Sequence, residues 1–448
     1  MRRLWIVLGL LVVLLVAAAI GLNLWVKAYL RSDAFRQLVS AKTGEALRAR
    51  AEFQPLSWSG SSVFSPALDA EGEPGGTLEK LSAQQVRANV DWRAIFDGAW
   101  RVTRIEVVRL DAALRTEVER EASEHEPGPT PEAPPPKKGF LPNRFELGEI
   151  DVQEADFAVG GFGKIRNSAL VMRPDGSGWV FDGRGGKLLL TGHPSLDIAN
   201  FRLRLQHGGL YVTDASLRLG ETGVLELSGE IGTAGKDYDL RVEWSDVDTA
   251  EVLDETWRKR LSGTLAGHAK SIQPKGGVAT TTGDFLLSDG RLEGLPVQAQ
   301  IADFTRTPQF RHMPVHEISG KFTQREGGVE IRDFVMESRG LLRIEGACIV
   351  GPNGELAGDF QVGVTPQTLQ WLPGSRERVF VVSRNGYLWT TLRVGGTVDR
   401  PTEDLSGRLA RAMGDEIIET GTNLIKQAPD KADEVLERAL EVLSPLIP

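Results

Sequence analysis

Alternation of apolar and polar residues dominates the chain from Phe145 to Val398. Phe201, Leu203 and Leu205 alternate with Arg202 and Arg204, and Tyr238, Leu240, Val242 and Trp244 alternate with Asp239, Arg241 and Glu243. A period of two sets one face of a strand on apolar material and turns the other to water, so this region predicts sheet. Further strands are expected at Phe285–Leu287, Val329–Met336, Phe360–Val364 and Tyr387–Val398, divided by turns such as Asp289-Gly290 and Asn353-Gly354. The stretches Gly223–Gly229 and Gly340–Gly346 share one form, an alternating leucine or isoleucine core between glycines, which points to related sheet modules.

Helical spacing appears only toward the two ends. Ser32 is placed to cap a helix carrying Phe35, Leu38, Val39, Ala46 and Leu47, with Gly44 as a weak point. Near Val90–Gly98 a short helical or turn element interrupts the strands. At the other end Leu405, Leu409, Met413, Ile417, Leu424 and Ile425 form one amphipathic stripe, and Val435, Leu436, Ala439, Leu440 and Leu443 form another after Pro429.

Before all of this, Arg2 and Arg3 precede an apolar run from Leu4 to Val26 closed by Lys27. At about 1.5 Å per helical residue the run crosses a hydrocarbon core of about 30 Å, so it predicts a spanning anchor with a cytoplasmic N-terminus. The rival reading is a cleaved secretory signal with Ala17, Ala18 and Ala19 near its processing site. Glu117 to Lys138 is acidic and then proline-rich, which opposes collapse and predicts a linker or long loop. The expected layout is therefore an anchor over 1–27, a juxtamembrane helix and small β-containing unit over 28–115, the linker over 116–140, a β-rich body over 141–400 and a helical tail over 401–448.

Composition narrows the function. A chain of 448 residues exceeds one usual core, and its formal charge of −9 opposes non-specific nucleic-acid binding. The single Cys348 excludes an internal disulfide and reads as a small core residue. Of the six histidines only His312 and His316 lie close together, and Pro314 between them interrupts a helix, so no metal site is expected. Gly232–Asp237 lacks the spacing and hydroxyl of a phosphate-binding loop and reads as a hairpin turn. No catalytic residues, cofactor or metal are predicted, and the expectation is a protein that is not an enzyme.

The order of these features resembles the AsmA-like family of membrane-anchored envelope proteins, with the repeating β-groove architecture of TamB-like proteins. The resemblance is carried by the Leu4–Val26 run, the helix from Ser32, the Val90–Gly98 segment and a C-terminal succession of Asp289–Leu292, Ile318–Phe322, Val329–Phe334 and Gly340–Gly346. Val394–Val398 through Pro401 resembles the family's closing turn. It implies a mainly β fold: an elongated, curved or partly open antiparallel sheet with helices at its ends and one N-terminal transmembrane helix. Leu203, Leu205, Leu225, Leu227, Phe334, Leu342 and Ile344 are the candidate groove or core positions. The implied role is support of outer-membrane assembly and envelope lipid homeostasis by passive shielding or transfer of phospholipid or another acyl-chain lipid. The alternative is a structural adaptor for envelope assembly proteins. Either places the chain in a bacterial inner membrane, single-pass, with its large C-terminal region in the periplasm.

Overall fold

The computed structural model describes residues 29–95, 97–115, 144–160, 163–206, 209–232, 237–294, 308–371, 374–398, 400–412 and 414. Among these, strands predominate, and the chain divides into two compact units, Met1–Leu217 and Arg218–Pro448. Each is built on mostly antiparallel sheet.

The first unit opens with helix α1 (Asp33–Leu47), whose Phe35 amide donates to the Ser32 hydroxyl at 3.3 Å. Gly44 does not break it. A Cβ there would lie 2.5 Å from the Ala49 carbonyl oxygen, so glycine is what lets the returning chain approach the helix. The strands that follow are β1 (Ala49–Phe53), β2 (Ser57–Ser59), β3 (Ser62–Gly72), β4 (Leu78–Asp91) and β5 (Ala99–Leu114). After them come β6 (Arg144–Val159), β7 (Gly163–Asp175), β8 (Gly178–Arg184), β9 (Lys187–Leu190) and β10 (Leu196–Gln206). Strand β11 (Gly209–Leu219) carries the chain past the unit boundary.

Pairing is antiparallel from β3 to β5 and from β6 to β8, but β5 and β6 run parallel, with Ala99 opposite Arg144 and Leu114 opposite Val159. The acidic, proline-rich stretch lies outside the described residues, yet the strands on its two sides are direct neighbours in one unit. One sheet face is apolar: Leu68, Val86, Val107, Leu110, Val152, Ala155 and Leu170 form a buried cluster, with Val152 and Ala155 at 0% exposure. Its centre is filled. The opposite face is charged, with Arg101 donating to Glu146 at 2.7 Å, Arg104 to Asp151 at 2.7 Å and Arg109 to Asp156 at 2.8 Å. These pairs stitch the parallel junction, each exposed pair adding little alone.

The second unit begins with β12 (Gly223–Gly232) and β13 (Tyr238–Asp248). Two single-turn helices follow, α2 (Thr249–Val252) and α3 (Glu255–Arg258), capped by the Asp248 and Asp254 carboxylates. Then come β14 (Leu261–Gln273), β15 (Thr280–Glu293), β16 (His312–Arg325), β17 (Gly328–Ser338), β18 (Leu342–Val350) and β19 (Leu356–Val364). Helix α4 (Ser375–Arg378) precedes β20 (Val382–Arg384), β21 (Tyr387–Gly396) and β22 (Pro401–Glu403). From β12 to β19 each strand pairs antiparallel with the next, and β21 pairs with β19. At one end of this sheet Phe310, Val315, Met336, Leu342, Leu369 and Phe380 are buried together, and Leu405, Leu409 and Ala412 from the helical turns over 405–412 pack onto them.

The expectation of a transmembrane helix is corrected. Among the described residues no helix is long and apolar enough to cross a membrane. The longest, α1, has 15 residues, about 22 Å of helix, and carries Asp33, Arg36, Lys42 and Glu45. The Leu4–Val26 run lies outside the described residues. The single-pass inner-membrane localisation, the periplasmic placement and the membrane partner therefore have no support from any described helix. The roles in outer-membrane assembly, lipid homeostasis and envelope adaptation, and the acyl-lipid and assembly-protein partners, are likewise unsupported by the structure.

Candidate apolar binding face

In the second unit the registers align one uncharged position from each of nine strands. Leu227 faces Val242, Val242 faces Ala269, Ala269 faces Gly283, and Gly283 faces Phe322. The row continues through Ile331, Cys348 and Gly358 to Val394. Neighbouring strands lie about 4.8 Å apart, so this belt runs for about 38 Å across the strands. Every one of its residues is half-buried, neither packed into the filled end of the sheet nor open to bulk water. Beside it runs a second row, Leu225, Trp244, Gly267, Phe285 and Gly320.

Two local devices build this face. The first is a bulge. Strict alternation would put Ile331 and Phe334 on opposite faces, yet Ile331 opposes Cys348 and Phe334 opposes Gly346, two positions apart on β18. The register shift falls at Arg332 and Asp333, where Asp333 takes φ 50°, and both apolar residues end on one side. Asp246 (φ 54°) does the same in β13, returning Trp244 and Val247 to one face against Gly267 and Leu265. Lys321 donates to Asp333 at 2.8 Å, and that hydrogen bond holds the carboxyl below the usual aspartate range.

The second device sets aromatic rings over glycines of the adjacent strand. A Cβ on Gly283 would sit 2.9 Å from the Phe322 ring, one on Gly267 2.7 Å from Trp244, and one on Gly346 2.7 Å from Phe360. Glycine costs strand stability by itself, but here it lets a ring lie down across the strand and cover the backbone. Phe334 and Phe360 meet edge to face with centroids 5.8 Å apart. The reverse face is polar: His268 lies 3.0 Å from Asp284, and the Lys321–Asp333 pair is beside them.

The candidate residues separate. Phe334, Leu342 and Ile344 belong to the filled end, with Leu342 buried and the other two packed against it. Leu225 and Leu227 lie in the half-buried rows, opposite Trp244 and Val242. Leu203 and Leu205 belong to the first unit, opposite Phe181 and Trp179, and Leu205 is 41% exposed. The structure therefore does not gather the seven into one site.

Of the nine belt positions only Leu227 is among the candidates, and Phe322, Ile331 and Cys348 are among the eight that are not. Ile331 escapes because a bulge shifts its phase. Cys348 is half-buried rather than a core residue, and burial pushes its thiol pKa up. Among the described residues no group of three or more His, Cys, Asp and Glu could hold a metal ion. No known protein family, curated protein or solved structure matches this chain.

Proposed function

We propose that this chain is a non-enzymatic binding scaffold that receives an elongated, uncharged apolar guest along the belt of its second unit. The nine-strand row of half-buried, uncharged positions carries this reading. Such a surface gains about 0.8 kcal/mol for each methylene group it removes from water, without any reacting group. The non-enzymatic part is supported by the chemistry beside the belt: Cys348 is the one nucleophile in the row, and burial favours its unreactive thiol form. Membrane attachment and lipid traffic are no part of this reading.

The AsmA-like resemblance enters the same proposal as a likeness of architecture only. It is supported by the way its C-terminal motifs fall on successive strands, with Asp289–Leu292 in β15, Ile318–Phe322 in β16, Val329–Phe334 in β17 and most of Gly340–Gly346 in β18.

The test is uptake of an uncharged apolar fluorophore, N-phenyl-1-naphthylamine, by the full chain, read together with the rate of Cys348 alkylation. Saturable uptake that slows alkylation is expected, lost in Phe322→Asp and kept in Ile349→Asp, a 55% exposed residue on the reverse face. A folded protein with no saturable uptake, or uptake indifferent to Phe322→Asp, would sink the proposal.

A further inference from the structure

The charged face of the first unit carries a second feature that the apolar belt does not explain. Across β4 to β7 the register runs Lys80, Ala113, Ala158, Lys164. Two lysines thus stand on either side of two alanines, separated by three strand spacings, about 14 Å. The small floor leaves an open depression of about 430 Å³, lined also by Ser82 and Arg166.

Cations cluster in this depression without a carboxylate partner among the described residues, a lack shared on this face by Arg87 and Arg184. Its two carboxylates, Asp111 and Asp156, are both engaged by Arg109, at 3.1 and 2.8 Å. Asp156 also accepts from the Asn167 amide at 2.7 Å. Elsewhere on this face Arg101, Arg104, Arg173, Arg202 and Arg204 each have a carboxylate partner. Lys80, Lys164 and Arg166 line the depression with none among the described residues. In a chain of formal charge −9 this is a local cationic excess that no ion pair among the described residues uses.

We infer that this depression binds an acidic peptide in extended conformation, lying along the alanine floor with carboxylates directed to both cationic walls. The shape selects an extended occupant. Ala113 and Ala158 lie side by side on parallel neighbours, so the trough between the lysines follows the strand direction. An extended peptide sends successive side chains to opposite sides, and adjacent acidic residues would therefore reach Lys80 on one wall and Lys164 or Arg166 on the other. A compact single anion would meet one wall only.

The experiment is fluorescence anisotropy of a labelled glutamate decamer against the full chain, with a glutamine decamer and inorganic phosphate as comparison probes. Saturable binding of the glutamate peptide is expected, weakened at least about tenfold by Lys80→Glu with Lys164→Glu, and weakened as salt shortens electrostatic reach. Arg184→Glu, an exposed change on the same face opposite Ala169, should leave it unaltered. The milder Lys80→Gln with Lys164→Gln pair gives the same direction if the double reversal fails to fold. Equal binding of the glutamine decamer, equal loss in Arg184→Glu, or no saturable binding would overturn the inference. Displacement by phosphate at the peptide's own concentration would overturn it too, by reducing the depression to a simple anion site.

Discussion

At single residues, the decisive positions are those where the backbone leaves ordinary strand geometry. Asp333 sits at φ 50°, a region that costs an L-residue roughly 1–2 kcal/mol unless its side chain is short and polar. Asp333→Gly should therefore leave the denaturant midpoint nearly unchanged through the backbone, whereas Asp333→Val should lower stability by about 1–2 kcal/mol. Equal midpoints for the two variants would show that the bulge is not strained. The same carboxyl sets a pH dependence. Its folded pKa is depressed by the hydrogen bond from Lys321, so its contribution is present above the ordinary aspartate pKa and is lost as pH falls through the depressed value. Lys321→Met should flatten that acid limb in a pH series of unfolding midpoints. These bulges also mark the limit of what the residue pattern discloses. Tyr238 to Trp244 reads correctly as one alternating strand, but nothing in plain alternation places Val247 beside Trp244 or Phe334 beside Ile331, because the phase change depends on two backbone angles.

Between elements, rings and glycines decide how close strands come. A Cβ on Gly283 would meet the His268 carbonyl oxygen at 2.2 Å, and backbone cannot give way as a side chain can. On Gly320 the near atoms are only the tips of Phe285 and Ile331, at 3.0 to 3.3 Å. Gly283→Ala is expected to cost about 1–3 kcal/mol, Gly320→Ala less, and Phe285→Leu should rescue the second but not the first. Chemical denaturation of the four proteins checks this, and equal costs at both glycines would contradict it. Some of this level was legible: glycine-bounded modules, the Ser32 cap and strands β17 and β18 stand in the sequence, whereas Asp289-Gly290, expected as a turn, lies inside β15 at a register shift where Asp289 takes φ 51°. The parallel β5–β6 pair was not, because a long intervening segment reads as a boundary while pairing ignores sequence distance. The apolar face was legible as a periodicity, but its division into a filled end and a half-buried belt was not. That depends on what the residues near 369–380 and 405–412 cover, which no strand pattern records.

At the largest scale, what matters is that the outer strands β1 in the first unit and β21 in the second each have part of their free edge engaged. At the first strand, the Phe53 amide donates to the Ser40 hydroxyl of α1 at 3.2 Å instead of waiting for another strand. At β21 the outer edge is shared by β20 at Val382–Arg384 and β22 at Pro401–Glu403. Between them the Arg393 amide donates to Asp404 at 2.9 Å, and Arg408 donates to the Thr391 carbonyl. An uncovered edge is a template for pairing with another chain, so these contacts act against sheet-to-sheet association. That partial cover disfavours strand addition at Phe53 and at Arg393 in particular. Removing the plug at β21 with Asp404→Ala and Arg408→Ala should leave the sheet folded but bare Thr391 and Arg393. Concentration-dependent association, read by light scattering, is the expected result. It should be strongest near the sequence pI of about 5.4, where the net negative charge that keeps copies apart vanishes. If the double variant stays as dispersed as the parent at that pH, β20 and β22 alone suffice to close the edge, and the helical turns over 405–412 serve only to cover the apolar end of the sheet.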